Sequence, residues 1–85
     1  MSATRAEVYD AIDSEREYQE RRWGGHRHEA ESYCLFMEDY LQQARHQASR
    51  TDFTIDSELR AYLDTIRKVV TLGVACMEEH GAPQR

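Results

Sequence analysis

Proline occurs once and cysteine twice in this 85-residue chain, and no apolar run approaches membrane length. The lone proline, Pro83, lies almost at the end, so the residue that most reliably interrupts helices is missing from everything before it. Cys34 and Cys76 stand 42 positions apart with no C-x-x-C pair, too few for the disulfide framework of a small secreted domain. They are expected as buried thiols that pack like small apolar groups. The longest mostly apolar stretch, Val69 to Met77, spans nine residues where a bilayer helix needs roughly 20, so no membrane partner is expected. Positive charge is also short. With 11 Lys+Arg against 16 Asp+Glu the net charge is −5, which argues against a binder of nucleic-acid polymers. The opening Met1-Ser2-Ala3-Thr4-Arg5-Ala6-Glu7 turns acidic at once instead of forming a basic-then-apolar leader, and a cytoplasmic location is expected.

What is present is helical pattern. Thr4 and Glu7 have the spacing of a capping box, and no Gly or Pro follows before about Arg22, so a first helix is predicted over 5–22. Its inward stripe is Val8, Ala11, Ile12 and Tyr18, interrupted by Glu15, and Glu17 and Arg21 have the favourable i,i+4 order. Trp23-Gly24-Gly25-His26-Arg27-His28 breaks the pattern and reads as a loop. A second helix, 29–49, carries the stripe Tyr33, Phe36, Met37, Tyr40, Leu41, Ala44 and Ala48. After a linker in which Phe53 and Ile55 are expected to fold inward, Asp56 suits the N-cap of a third helix, 57–80. Leu59, Tyr62, Leu63, Ile66, Val69, Val70 and Met77 carry its apolar face, and Gly81 with Pro83 ends it. Gly73, mid-helix, suggests close approach of another helix.

The predicted fold is therefore a single all-α domain over 1–85. Two long antiparallel helices form a pair and the first helix packs across them. A chain this small has a modest core, and the third helix is apolar over more than one face, so a homo-oligomer built through that helix is expected to cover Leu72, Val74 and Cys76.

Several chemistries can be weighed residue by residue. Asp10, Asp13, Glu17 and Glu20 share one face of the first helix and read as a solvated stripe. Glu38 and Asp39 are adjacent on the second helix, and Asp64 fits an Arg60–Asp64–Lys68 ladder of i,i+4 pairs on the third. These acids do not by themselves assemble a metal site. His26 and His28 lack the neighbouring cysteines that a structural zinc site usually uses, so no metal is expected. No serine sits in a strained Gly-flanked turn, and both cysteines fall on apolar faces where a thiolate is disfavoured, so no catalytic nucleophile is assigned.

The remaining constellation suits an anionic, aromatic ligand. Arg21, Arg22, Trp23, His26, Arg27 and His28 gather at one corner, while Arg67 and Lys68 interrupt the most apolar helix, where unpaired charge is costly. Aromatic rings stack on bases and arginine forks match phosphates. On this reading Tyr18 and Trp23 stack the ring, Arg21, Arg22, Arg67 and Lys68 hold phosphate, and His26 contacts ribose or phosphate. The alternative is that Trp23 plugs the end of the bundle while Arg67 and Lys68 snorkel to water.

The run Glu17-Tyr18-Gln19-Glu20-Arg21-Arg22-Trp23-Gly24 resembles the opening of small phage-encoded helical proteins. The tail from Ile66 to Gly81, Ile-Arg-Lys-Val-Val-Thr-Leu-Gly-Val-Ala-Cys-Met-Glu-Glu-His-Gly, resembles their last helix. The group is distantly similar to MazG-type all-α nucleoside triphosphate pyrophosphohydrolases. That resemblance implies an oligomeric bundle, a nucleotide substrate and Mg²⁺ held by E-x-x-E and E-x-x-D acids. In this chain Gln43 stands where the second acid of the middle helix is expected, Glu38 and Asp39 are the nearest substitutes, and only Asp64 remains on the third helix. A carboxamide contributes no charge to a hard cation. The resulting expectation is a phage-type protein that binds and sequesters a nucleotide-derived immune signal, cyclic or ADP-ribose-like, without a cofactor. The competing expectation is a Mg²⁺-dependent pyrophosphohydrolase using Glu38, Asp39 and Asp64 with acids borrowed from the first helix of the same or a neighbouring subunit.

Overall fold

The structure, a computed structural model, describes residues 2–25 and 27–85. It contains three helices, α1 (Arg5–Trp23), α2 (Ala30–Arg50) and α3 (Asp56–His80), with no strand among the described residues. Each end of a helix lies within one residue of its predicted position. His26, which was assigned a ligand contact, lies outside the described residues.

Local chemistry explains the boundaries. The Thr4 hydroxyl accepts from the Glu7 N–H at 3.1 Å while the Glu7 carboxylate accepts from the Thr4 N–H at 3.1 Å, closing the capping box. These bonds favour the ionised carboxylate and hold its pKa below the usual value. Gly24 ends α1 with its N–H on the Glu20 carbonyl, and a Cβ at this position would strike that same oxygen. Gly81 ends α3 at φ 124°, in the region that favours glycine. The third helix begins one residue earlier than expected: Ile55 is its N-cap, and Asp56 occupies its first turn, where a negative charge suits the exposed amides.

Helices α2 and α3 run antiparallel, as the contacts Tyr33–Glu79, Met37–Gly73, Tyr40–Lys68 and Phe53–Tyr62 descend together. Gly73 faces the Met37 methyl, which would lie 3.5 Å from a Cβ placed there, an ordinary contact that an alanine could also make. Helix α1 packs on α3 and not on α2. Its adjacent residues Glu15 and Arg16 reach Arg67 and Glu78, eleven positions apart on α3, so α1 crosses α3 steeply.

The core is small: Ile12, Tyr33, Ala44 and Ala75, with Gln19, Thr65 and Thr71 as buried polar residues. Both threonines return their hydroxyl to the carbonyl four residues back, Thr65 to Ala61 at 3.3 Å and Thr71 to Arg67 at 2.7 Å. Several expectations change. Cys34 is exposed, because it sits beside the α2 stripe rather than on it. Phe53 and Ile55 remain close to half exposed, with Phe53 turned edge-on to Tyr62 at 5.4 Å. Val8, Ala11 and Tyr18 are exposed, since a steep crossing lets α1 bury only Ile12 and Gln19. Arg16–Glu20, rather than Glu17–Arg21, forms the i,i+4 pair of α1. Asp64 bonds Arg67 and pairs with Lys68 at 3.5 Å instead of completing a ladder with Arg60.

Candidate functional site

Because α1 and α2 both rest on α3 without close approach of their backbones to each other, an open cleft of about 620 Å³ lies between them. That is within the range of small-molecule sites. Leu72, Ala75 and the stem of Lys68 form its floor. Tyr18, Gln19 and Trp23 come from α1, and Tyr33, Phe36 and Tyr40 from α2. The walls are thus strongly aromatic. Tyr18 and Trp23 meet edge to face, 6.4 Å between ring centres and 85° between planes, and each stays about half exposed.

Gln19 is the residue that the sequence reading missed. It is buried and lines the cleft, and its amide is not sealed away without a partner, a condition met among the described residues only by Gln47 Oε1. The signal was available, because Ile12, Glu15 and Gln19 follow a helical i, i+3, i+7 stripe. An amide on that stripe that borders an open cleft offers both a donor and an acceptor to whatever occupies it.

Charge is arranged in layers. Glu15, the residue that interrupts the α1 stripe, keeps a side chain only 9% exposed and receives the Arg67 Nε–H at 3.0 Å. Asp64 accepts from the same guanidinium. Burial works against the charge on Arg67, but the bonds from Glu15 and Asp64 outweigh it and raise its pKa above the ordinary value. The arginine in the apolar helix is therefore balanced from within the chain. This arrangement places Arg67 as a structural clamp between α1 and α3, which weakens the case for it as a phosphate ligand.

Lys68 is placed differently. Its ammonium lies 5.8 Å from the Tyr40 ring centre and 3.5 Å from Asp64, and it lines both the cleft and a second groove between α1 and α3. Arg21 and Arg67 line that groove as well, and Tyr18 is common to the two depressions. Arg22 lies over the Trp23 ring, 5.7 Å from its centre, outside both. Of the residues predicted for ligand binding, Tyr18, Trp23 and Lys68 therefore share the cleft, Arg21 and Arg67 join Lys68 in the groove, and Arg22 supports Trp23 from behind.

At one end of the cleft its lining residues His28 and Tyr33 are tied to Glu79, which lies outside the lining. Its carboxylate accepts from the Tyr33 hydroxyl at 2.6 Å, the His28 N–H at 3.0 Å and the Arg27 Nε–H at 3.4 Å. These bonds, led by that from Tyr33, hold the Glu79 pKa below its usual value. Burial, together with the bond to Glu79, pushes the Tyr33 phenol up to about 12. His28 also lies edge-on to Tyr33 and Phe36, while its carbonyl meets Nε2 of His80 at 2.7 Å. The loop after α1 is thereby tied to the end of α3.

The acids required for a magnesium site do not converge within the chain. Asp39 lines the cleft, Glu38 lies outside both depressions, and Asp64 is engaged by Arg67 and Lys68 on the groove. Among the described residues no three His, Cys, Asp or Glu side chains come together as a metal site would need. Within one chain, then, the described acids do not assemble a site for Mg²⁺. No family model, curated protein or solved structure matches the chain, so the geometry of the cleft bears the functional argument.

Proposed function

We propose that the cleft between α1 and α2 binds a nucleotide-type small molecule and holds it without cleaving it. The observation that carries this reading is the Tyr18–Trp23 pair facing a roomy aromatic cleft that meets, at Lys68, the groove lined by Arg21. A base or comparable ring stacks against Tyr18 and Trp23, and the Gln19 amide reads its polar edge. Phosphate lies toward Lys68 and Arg21. Arg67 contributes field rather than contact, since Glu15 and Asp64 already occupy its fork.

Retention without turnover corresponds to sequestration of a nucleotide-derived signal, cyclic or ADP-ribose-like, by a phage-type protein acting inside a bacterial host. The chain acts as a homo-oligomer, because α3 leaves apolar residues uncovered that neither α1 nor α2 reaches. The scattered positions of Glu38, Asp39 and Asp64 favour binding over magnesium-dependent hydrolysis.

Calorimetry with a panel of cyclic and ADP-ribose-type nucleotides tests the reading. Saturable heat with at least one of them, reduced by Tyr18→Ala and by Lys68→Met, is the expected result. Absence of heat across the panel removes the proposal. Release of pyrophosphate from a nucleoside triphosphate with Mg²⁺, abolished by Asp64→Asn, would put hydrolysis in its place.

A further inference from the structure

The charge of the cleft narrows what it can hold. Carboxylates line it from Glu15, Glu20 and Asp39, against the cations of Arg16 and Lys68. All but one of these are matched within the chain. Glu15 receives the Arg67 Nε–H, Arg16 reaches Glu20 at 3.0 Å, and Lys68 lies 3.5 Å from Asp64. Asp39 alone has no ion-pair partner among the described residues. It stands on the ring-bearing face of α2, one turn after Phe36 and next to Tyr40. While the cleft is open, water solvates this exposed carboxylate. An occupant strips that water away, and a neutral or anionic ring gives nothing in return. A positively charged ring does, because it meets aromatic faces and a carboxylate that lacks a counter-ion. One lining ring already serves a cation: the Lys68 ammonium lies 5.8 Å from the centre of Tyr40.

We infer that the ring held in the cleft is cationic, a pyridinium of the nicotinamide-nucleotide class, and that Asp39 is the residue that selects it. The inference rests on the nucleotide reading of the cleft and deepens it. The charged ring lies between Tyr18 and Trp23 on one wall and Phe36 and Tyr40 on the other, with Asp39 as its counter-ion. Phosphate lies toward Lys68 and Arg21, where the groove begins. Both ends of such a ligand meet charge of the opposite sign. A neutral purine ring in the same place leaves Asp39 desolvated and unpaired.

Calorimetry of the full chain with NAD⁺, NADH and ADP-ribose tests the inference. NAD⁺ and NADH share their adenine, riboses and phosphates and differ in the charge of the nicotinamide ring. NAD⁺ is expected to bind at least about 10-fold more tightly than NADH or ADP-ribose. Asp39→Asn, at an exposed position, is expected to keep the helix content seen by circular dichroism, to erase that preference and to leave NADH unchanged. Three results would overturn the cationic ring and leave the nucleotide reading standing: equal affinity for NAD⁺ and NADH, a preference that survives Asp39→Asn, or binding of ADP-ribose or a cyclic nucleotide with none of NAD⁺. No heat with any of these nucleotides would overturn both.

Discussion

The two neighbours of α3 are attached to it by different physics. Helix α2 lies along α3 through an apolar and aromatic seam, in which Tyr33 and Ala44 are buried and Met37 covers Gly73. Helix α1 crosses α3 steeply, buries only Ile12 and Gln19, and is held on either side of that crossing by the pairs Glu15–Arg67 and Arg16–Glu78. One attachment depends on area removed from water, the other on a few ionic hydrogen bonds around a single isoleucine. The difference explains why the cleft exists: a neighbour fastened at isolated points cannot also close against α2. It further implies that α1 is the wall able to adjust to a ligand, while the α2–α3 pair is the fixed one.

Substitutions sharpen the contrast in order of size. Tyr33→Ala removes the largest buried side chain of the α2–α3 seam along with its bond to Glu79, and is expected to cost about 3–5 kcal/mol. For so small a core that is close to global unfolding, visible as a urea midpoint near zero. Glu15→Ala leaves Arg67 with Asp64 alone and is expected to cost about 1–2 kcal/mol, less than a fully buried pair because the arginine is partly exposed. Its signature is regional. Amide exchange should accelerate through α1 while protection in α2 and α3 persists. Equal loss in all three helices would show that α1 is not separately attached.

Thr4→Ala opens the capping box and is expected to cost about 1 kcal/mol, again read as fraying confined to the start of α1. The pH response belongs to the other attachment. Glu79 has a depressed pKa in the fold, so its contribution is present above the ordinary value of 4.5 and fades as pH falls through the lower folded value. Tyr33, raised to about 12, contributes fully below its ordinary 10.0, and that contribution is lost as pH rises from there toward 12. Melting curves across pH should therefore sag at both extremes. Glu79→Gln should flatten the acid limb, and an unchanged acid limb would remove Glu79 from the explanation.

Much of the helix layout was legible because it is written in local chemistry. Thr4 and Glu7 announce the start of α1, the paired glycines its end, and Gly81 the end of α3. Periodicity also gave the α2–α3 pairing, yet it could not divide a wide apolar stripe between two uses. Leu41 shares its spacing with Tyr33 and Ala44, whereas it stays exposed while they are buried. The site was legible in its aromatic half, Tyr18 and Trp23, since bulky rings beside a glycine loop are conspicuous. Its ionic half was not. The partner of Arg67 is Glu15, 52 positions away, and no spacing rule reveals a long-range pair. The same gap concealed Gln19, whose role depends on α1 crossing α3 at the angle that opens the cleft.

The chain's single tryptophan, Trp23, stands in the cleft wall and reports directly on whether it is a nucleotide site. Titration of its fluorescence with cyclic and ADP-ribose-type nucleotides is expected to give a saturable change for at least one of them, weakened by Lys68→Met and unaffected by removal of divalent cations. A flat response to every nucleotide, or binding that disappears with the cations, would contradict a cleft that holds its ligand without metal.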